Sequence, residues 1–247
     1  MNLNRGICNN FSDFMIDFFK FENDGFDVPF YNGIPKLSKL EWIILMIAEF
    51  LFVAPVIFPI RLSELVFPFY MCLVVLIPVL YLSRGDLGLF FKKIRRSDIK
   101  LIIFCVIAPF VYSMMMLYII EYFKLAPVTL VEETPTTIIN VISMIVQLMG
   151  EELFKIVLLI LVMALVYHFS KNRKLSIVLS AIVTMLAFGS LHGGAYGTLV
   201  QVLLVQGLGS IFDLYAYLKT KNVLVSYTAH LLFDFIPFAM EILLLIL

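Results

Sequence analysis

Charge is scarce in this 247-residue chain: only 15% of its residues are Asp, Glu, Lys or Arg, against about 25% in soluble domains. The formal net charge is zero, so the chain offers no bulk electrostatic basis for binding nucleic acid. Apolar residues take the place of the missing charge, since 62% of the chain is hydrophobic and the mean hydropathy is +1.02. The composition predicts an integral membrane protein.

Cysteine is also scarce. Cys8, Cys72 and Cys105 are scattered without metal-ligand spacing, and neither a CxxC nor an HExxH pattern occurs. The basic start and clean apolar stretch of a signal peptide are missing too. Residues 1–39 instead contain FSDFMIDFFKF, in which phenylalanines recur at helical spacing between acidic residues. We expect an amphipathic interfacial segment there, followed by a loop rich in Gly and Pro.

Long apolar runs begin at residue 40, and a helix needs about 20 such residues to cross a bilayer. We therefore predict an all-α, polytopic transmembrane helix bundle that forms one domain over residues 40–247. The fourth run is too long for one straight crossing and is either strongly tilted or broken near Gly150, while Pro237 allows a kink in the last. These choices give seven or eight spans. The candidates are Leu40–Pro59, Glu64–Ser83, Ile99–Phe123, Thr137–Phe169, Leu175–Leu191, Ala195–Leu218 and Val223–Leu247.

The basic residues predict the orientation. Lys and Arg collect in the second, fourth and sixth connections, whereas the third has one Lys and two Glu. Cytoplasmic loops carry the excess of positive charge. We therefore expect a multi-pass protein of the cell membrane, with the even-numbered connections and the N-terminus in the cytoplasm. The basic residues are Arg84, Lys92, Lys93, Arg95, Arg96 and Lys100; Lys171, Arg173 and Lys174; and Lys219 and Lys221.

Ionisable groups inside spans are functional candidates, because they are costly in lipid and normally face a wet or polar interior. Glu121 and His168 lie at span ends, close to water. Glu49, Asp213 and Glu241 are single acids on separate spans, which we interpret as packing or hydrogen-bonding features.

The other groups form three small units. Glu151 and Lys155 are four residues apart, as are Phe188 and His192, and His230 and Asp234. Each unit therefore occupies one face of a helix, and Glu151 can pair with Lys155. A Glu with two His can activate a water and stabilise an oxyanion; the alternative is a polar network that only holds the helices together.

These units resemble the motifs EExxxR, FxxxH and HxxxN of the CAAX-protease and bacteriocin-processing (Abi) family, which includes the Ras-converting CAAX endopeptidases. EELFKI begins at Glu151, FGSLH spans Phe188–His192 and HLLFD spans His230–Asp234. The resemblance covers about residues 140–237, which we take as the core of the domain.

The resemblance implies an intramembrane endopeptidase that cleaves a peptide or lipid-modified peptide without a cofactor or metal. It implies that Glu151 is the general base that activates water, with His192 assisting and Glu152 supporting the first Glu. His230 and Asp234 would line the oxyanion side.

Two positions depart from the family pattern. Ile156 stands at the arginine position, and the cation Lys155 comes one residue earlier. Asp234 stands at the asparagine position, and an ionised Asp cannot donate to an oxyanion, so it is either protonated or orients His230.

Two other functions stay open at this point: a zinc-dependent membrane protease in which Glu, His and His hold the metal, and a non-enzymatic immunity or regulatory protein that binds a peptide. The heavy use of Ile, Phe, Lys and Asn favours a bacterial source and bacteriocin-type peptides. Counting residues from the basic connections places His230 much less deep than Glu151 and His192, so a shared site needs a tilt, a break near Gly150 or a recessed turn at Thr220–Asn222.

Overall fold

The protein is an assembly of α-helices. The computed structural model describes residues 27–58, 60, 62–129 and 137–246, with side chains except at 195–196 and 238–246. Among these residues all regular structure is helical, as predicted. The helices are α1 Lys39–Ile57, α2 Val66–Leu82, α3 Asp98–Tyr122, α4 Ile138–Ser170, α5 Arg173–Leu191, α6 Gly193–Tyr196, α7 Leu199–Val202, α8 Ile211–Thr220 and α9 Val223–Ile246, with a 3₁₀ turn at Leu87–Leu89 and a π-helical turn at Leu203–Gly207.

Local sequence signals set the helix starts. Ser38 and Glu41 form a capping box at the start of α1, and Thr137 forms one with Asn140 at the start of α4. In each, a side-chain oxygen accepts from a backbone N–H that has no partner within the helix. Lys171 and Lys221 end α4 and α8 in the left-handed conformation.

Helix α4 is the centre of the bundle and packs against α1, α2, α5, α8 and α9. Its middle runs without a break through Gly150, which excludes the break, one of the two alternatives for this long span. Gly150 instead permits close packing, because a Cβ there would lie 2.8 Å from the backbone of Met71 and Cys72 on α2. Phe154 stacks on Phe52 of α1 with ring centroids 4.5 Å apart.

Among the described residues, five helical segments are long and apolar enough to cross a membrane: α1, α3, α4, α5 and the composite segment Leu199–Thr220. Two shorter apolar helices, Val66–Leu82 and Val223–Pro237, lie at the predicted second and seventh positions. The sixth segment begins at Leu199 rather than Ala195, because Thr198 caps a new helix there. Helix α9 continues through Pro237.

The outer faces of these helices are apolar. On α3, for example, Ile103, Ile107, Val111 and Met114 follow one face and are each more than half exposed. Large exposed apolar surfaces require a partner, and here that partner is lipid. The chain is a multi-pass membrane protein.

The predicted interfacial helix lies outside the described residues. The loop that follows it is confirmed for residues 27–38, which form turns before α1. Asp27 in this loop accepts two hydrogen bonds from Arg173, at 2.6 and 2.8 Å, which tie the loop to the start of α5.

The turn between α8 and α9 is recessed, as one of the three predicted solutions requires. Lys221 and Asn222 are only 1% and 2% exposed. The Asn222 carboxamide accepts from Lys92 N and donates to Lys92 O, and Val223 N donates to Phe90 O. The second connection therefore covers this turn, and α9 begins inside the protein beneath that connection.

Candidate active site

Helix α4 presents its two adjacent glutamates in different directions, since consecutive helical residues are about 100° apart. Glu151 lines a cavity of about 680 Å³ inside the bundle. Its Oε1 accepts a 2.8 Å hydrogen bond from Gln147 Nε2, one turn earlier on the same helix. Glu152 is 1% exposed and points into a buried cluster of charged side chains.

The buried cluster is centred on Lys155, which has no exposed surface. Its Nζ contacts Glu152 Oε1 and lies 2.5 Å from Asp213 Oδ2 on α8. His230 on α9 places Nδ1 2.8 Å from the same Glu152 oxygen. Because a carboxylate only accepts, we assign the Nδ1 proton to the hydrogen bond with Glu152.

This arrangement differs from the predicted pairing. Lys155 pairs with Glu152 and Asp213, and Gln147 rather than Lys155 contacts Glu151. Asp213, expected from the sequence to be a packing or hydrogen-bonding feature, is a full member of the cluster. The signal for it was present: an acid in the middle of an apolar span needs a cation or hydrogen-bond donor, and Lys155 is a cation inside another apolar span.

Phe188 joins the cluster to His192. Lys155 Nζ lies 4.6 Å from the centroid of the Phe188 ring, and the His192 ring packs edge-on against that ring at 4.7 Å. His192 Nδ1 lies 2.9 Å from the Phe188 carbonyl oxygen, which can only accept. In its neutral form this imidazole carries its proton on Nδ1 and its lone pair on Nε2.

The cavity brings together candidate residues from three separate helices. Glu151, His192, His230 and Asp234 all line it, together with Asp213. Asp234 Oδ2 lies 3.7 Å from His230 Nε2, beyond hydrogen-bonding distance. Glu152 is not among the lining residues; it lies behind His230.

The layers of the site follow from helix direction. Glu152, Asp213 and His230 are at one depth because they share Lys155 and one another as partners. Further from the basic connections lie Glu151, one residue beyond Glu152 on α4, and Asp234, one turn beyond His230 on α9. The recessed Lys221–Asn222 turn thus removes the depth mismatch that residue counting predicted.

Within the described part of the chain, one group of side chains has the composition of a metal site. Donor atoms of Glu152, Asp213 and His230 lie within 4.8 Å of one another. The Lys155 ammonium contacts both carboxylates and lies 3.5 Å from His230 Nδ1. The position of the cation is therefore taken by a side chain, and this donor set differs from the Glu151, His192 and His230 set that the zinc alternative uses.

Comparison with known proteins identifies the region that carries this site. Residues 132–236 match the family model of the Rce1-like type II CAAX prenyl endopeptidases. No curated protein and no solved structure matches the chain. The matched range contains all three motif positions, from Glu151 to Asp234, and implies a membrane protease of the CAAX type. The resemblance found in the motifs is confirmed: residues 132–236 are similar to the Rce1-like type II CAAX prenyl endopeptidases.

Proposed function

We propose that the protein is an intramembrane endopeptidase in which Glu151 activates a water molecule to cleave a peptide or lipid-modified peptide. One observation carries the proposal. Glu151, His192 and His230, from three helices, line a single cavity of about 680 Å³ in an otherwise apolar bundle. Polar side chains gathered in one concave site are typical of an active site.

The reaction requires a base for the water. Glu151 is held by the hydrogen bond from Gln147, and the His192 tautomer supplies a lone pair on Nε2. We propose that Glu151 takes a proton from the water while the oxygen attacks the scissile carbonyl carbon. The proton then passes to the leaving nitrogen as the C–N bond breaks.

The reaction also creates an oxyanion. We propose His230 as its donor, because Glu152 accepts from Nδ1 and so orients Nε2 away from the cluster. Glu152 and Asp213 carry two negative charges against the single charge of Lys155, so a protonated His230 makes the cluster neutral. Its Nε2–H then faces the cavity that it lines.

Lys155 takes the place of the arginine in the family motif. It is one residue early, but its long side chain reaches Glu152 and Asp213. The Lys155 ammonium takes the position that a metal ion would need between Glu152 and Asp213, and no HExxH motif provides another helical zinc site. We therefore propose a metal-independent glutamate protease without a cofactor.

The membrane arrangement completes the proposal. We propose that all seven apolar helices cross the bilayer of the cell membrane with the basic connections and the N-terminus in the cytoplasm. The transmembrane domain is residues 40–247, after an interfacial segment at 1–39. The substrate class remains a peptide or lipid-modified peptide, including bacteriocin-type peptides if the source is bacterial.

Cleavage by the purified protein in liposomes tests the proposal. Prenylated CAAX peptides and unmodified hydrophobic peptides are the probes, and Glu151→Gln should abolish cleavage. Glu121→Gln is the matched control, since this acid is exposed at a helix end. Cleavage that survives in Glu151→Gln would remove Glu151 from the mechanism. Peptide binding without cleavage would favour the non-enzymatic alternative, and one zinc per chain that is lost in His192→Ala would favour the metalloprotease.

A further inference from the structure

We propose that Gln206 forms a subsite that binds the main chain of the peptide substrate; this inference rests on the proposed function. Gln206 lines the same cavity as Glu151 and His230. Its Oε1 is buried and has no hydrogen-bond partner among the described residues. A buried acceptor without a donor is destabilising, so its presence in this cavity requires another explanation.

The π-helical turn at Leu203–Gly207 directs Gln206 into the cavity. Gln206, Gly209, Ser210 and Asp213 all line it, which makes them one face of this segment. Tyr112 donates a 2.6 Å hydrogen bond to Leu204 O within the turn. π-Turns inside α-helices occur often at functional sites. Gln206 thus lies about two turns beyond Asp213, on the side of Glu151.

Other carboxamides in the structure show what such a group binds. Gln201 Oε1 accepts from Thr129 N, and its Nε2 donates to Thr129 O, both at 2.8 Å. Asn222 makes the same pair of bonds with Lys92 N and O, at 3.0 and 2.8 Å. In both cases one carboxamide satisfies the N–H and C=O of a single residue in a segment without regular structure.

Gln206 has the same donor and acceptor but no such chain segment among the described residues. An extended peptide in the cavity would supply it: a substrate N–H donates to Oε1, and Nε2 donates to a substrate C=O. This subsite recognises the backbone rather than a side chain. It therefore positions a peptide next to Glu151 whatever its sequence, and it takes peptides rather than esters or free lipids.

N-methylated peptides test the subsite, because each methyl group removes one N–H. The probe is a farnesylated peptide ending in a CAAX sequence, methylated at one amide at a time. For the unaltered protein, one position of methylation should raise KM about tenfold and leave kcat nearly unchanged, since tenfold corresponds to one hydrogen bond of ordinary strength. In Gln206→Met, KM for the unmethylated peptide should rise by a similar factor, and methylation at that position should have no further effect.

The melting temperature separates binding from a structural role. Replacing an unpartnered carboxamide with an apolar side chain of similar shape should leave the melting temperature unchanged or raise it. Ser210→Ala is the matched control, because Ser210 lines the same cavity but its hydroxyl already donates to Gly207 O; its KM should not change.

Three results would overturn the subsite: unchanged KM in Gln206→Met, equal sensitivity to every methyl position in both proteins, or a lower melting temperature with unchanged KM. Absence of cleavage by the unaltered protein would refute the proposed function instead. Binding of fluorescent versions of the same peptides, measured in parallel, then tests the subsite without cleavage. A Kd that changes neither in Gln206→Met nor on N-methylation would refute the subsite.

Discussion

At the scale of single residues, Lys155 is the group on which the site depends. It is fully buried and contacts Glu152 and Asp213. The desolvation of three charged groups is costly, and their mutual attraction offsets that cost only while all are present. Consecutive side chains on a helix point about 100° apart. An arginine at position 156 would therefore point in a different direction from Lys155, and the cluster is built around the earlier residue.

Removal of Lys155 should be severely destabilising. We expect Lys155→Met to lower the free energy of unfolding by about 3–5 kcal/mol, because it leaves two buried carboxylates against the single charge of a protonated His230. Unfolding by SDS in mixed micelles measures the change. Lys155→Met combined with Asp213→Asn should recover part of the loss. Equal stability of the unaltered protein and the single variant would show that the cluster is not the ion network described above.

Glu152 and Asp234 should differ in their effect on cleavage. Glu152 accepts from His230 Nδ1 at 2.8 Å, whereas Asp234 lies 3.7 Å from Nε2. We therefore expect Glu152→Gln to lower the cleavage rate about 10- to 100-fold, as loss of an orienting partner does. Asp234→Asn restores the family residue and should keep or raise the rate. Rates of both variants across pH 5–9 decide; the opposite order would show that Asp234 is what orients His230.

At the scale of helices, the sequence predicts which segments are helical but not how deep in the bilayer their polar residues lie. Apolar length predicted α1 to α5, and spacing predicted which face of each helix carries Glu151, His192 and His230. Depth could not be predicted, because it depends on the recessed Lys221–Asn222 turn, which the second connection covers through Asn222 and Lys92. Asp213 was missed for a related reason: its partner Lys155 is on another helix, 58 residues away.

The loop before α1 is tied to α5 by a pair whose strength should depend on pH. Burial raises the pKa of Asp27, but hydrogen bonds from Arg173, Tyr31 and the Val28 backbone outweigh it and hold this pKa below its ordinary value of 3.8. A lowered carboxyl pKa stabilises the folded state above the ordinary value, and the stabilisation is lost as pH falls through the lowered value.

Asp27→Asn should therefore reduce stability near pH 7 by about 1–2 kcal/mol, and the difference should disappear as pH falls from about 4 towards the lowered pKa of Asp27. Thermal unfolding of both proteins in the same detergent between pH 3 and 7 measures it. Comparing the two proteins at each pH cancels the titration of other carboxylates. A difference that stays constant down to pH 3 would show that Asp27 acts through its shape rather than its charge.

At the scale of the whole molecule, the basic residues gather at one end of the bundle. Lys92 and Asn222 join the second and sixth connections by two hydrogen bonds. Burial lowers the pKa of Lys221 to about 8, and the nearby charges of Arg173 and Lys92 lower it as well. The connection between α3 and α4, by contrast, emerges at the opposite end. An apolar body with one basic end has a preferred orientation, because translocation of short basic loops is unfavourable.

Labelling of single cysteines tests this orientation. Lys93→Cys and Lys174→Cys place a thiol at the basic end, and Lys124→Cys places one at the other end; all three lysines are exposed. The background replaces Cys8 with Ser and the buried Cys72 and Cys105 with Ala. In intact cells a membrane-impermeant maleimide should label only Lys124→Cys, because positive connections face the cytoplasm; after lysis it should label all three. Labelling of Lys93→Cys and Lys174→Cys in intact cells would show that the protein has the opposite orientation. The site at Glu151 would then face the cytoplasm, since Glu151 and Asp234 lie on the side of the buried cluster away from the basic end.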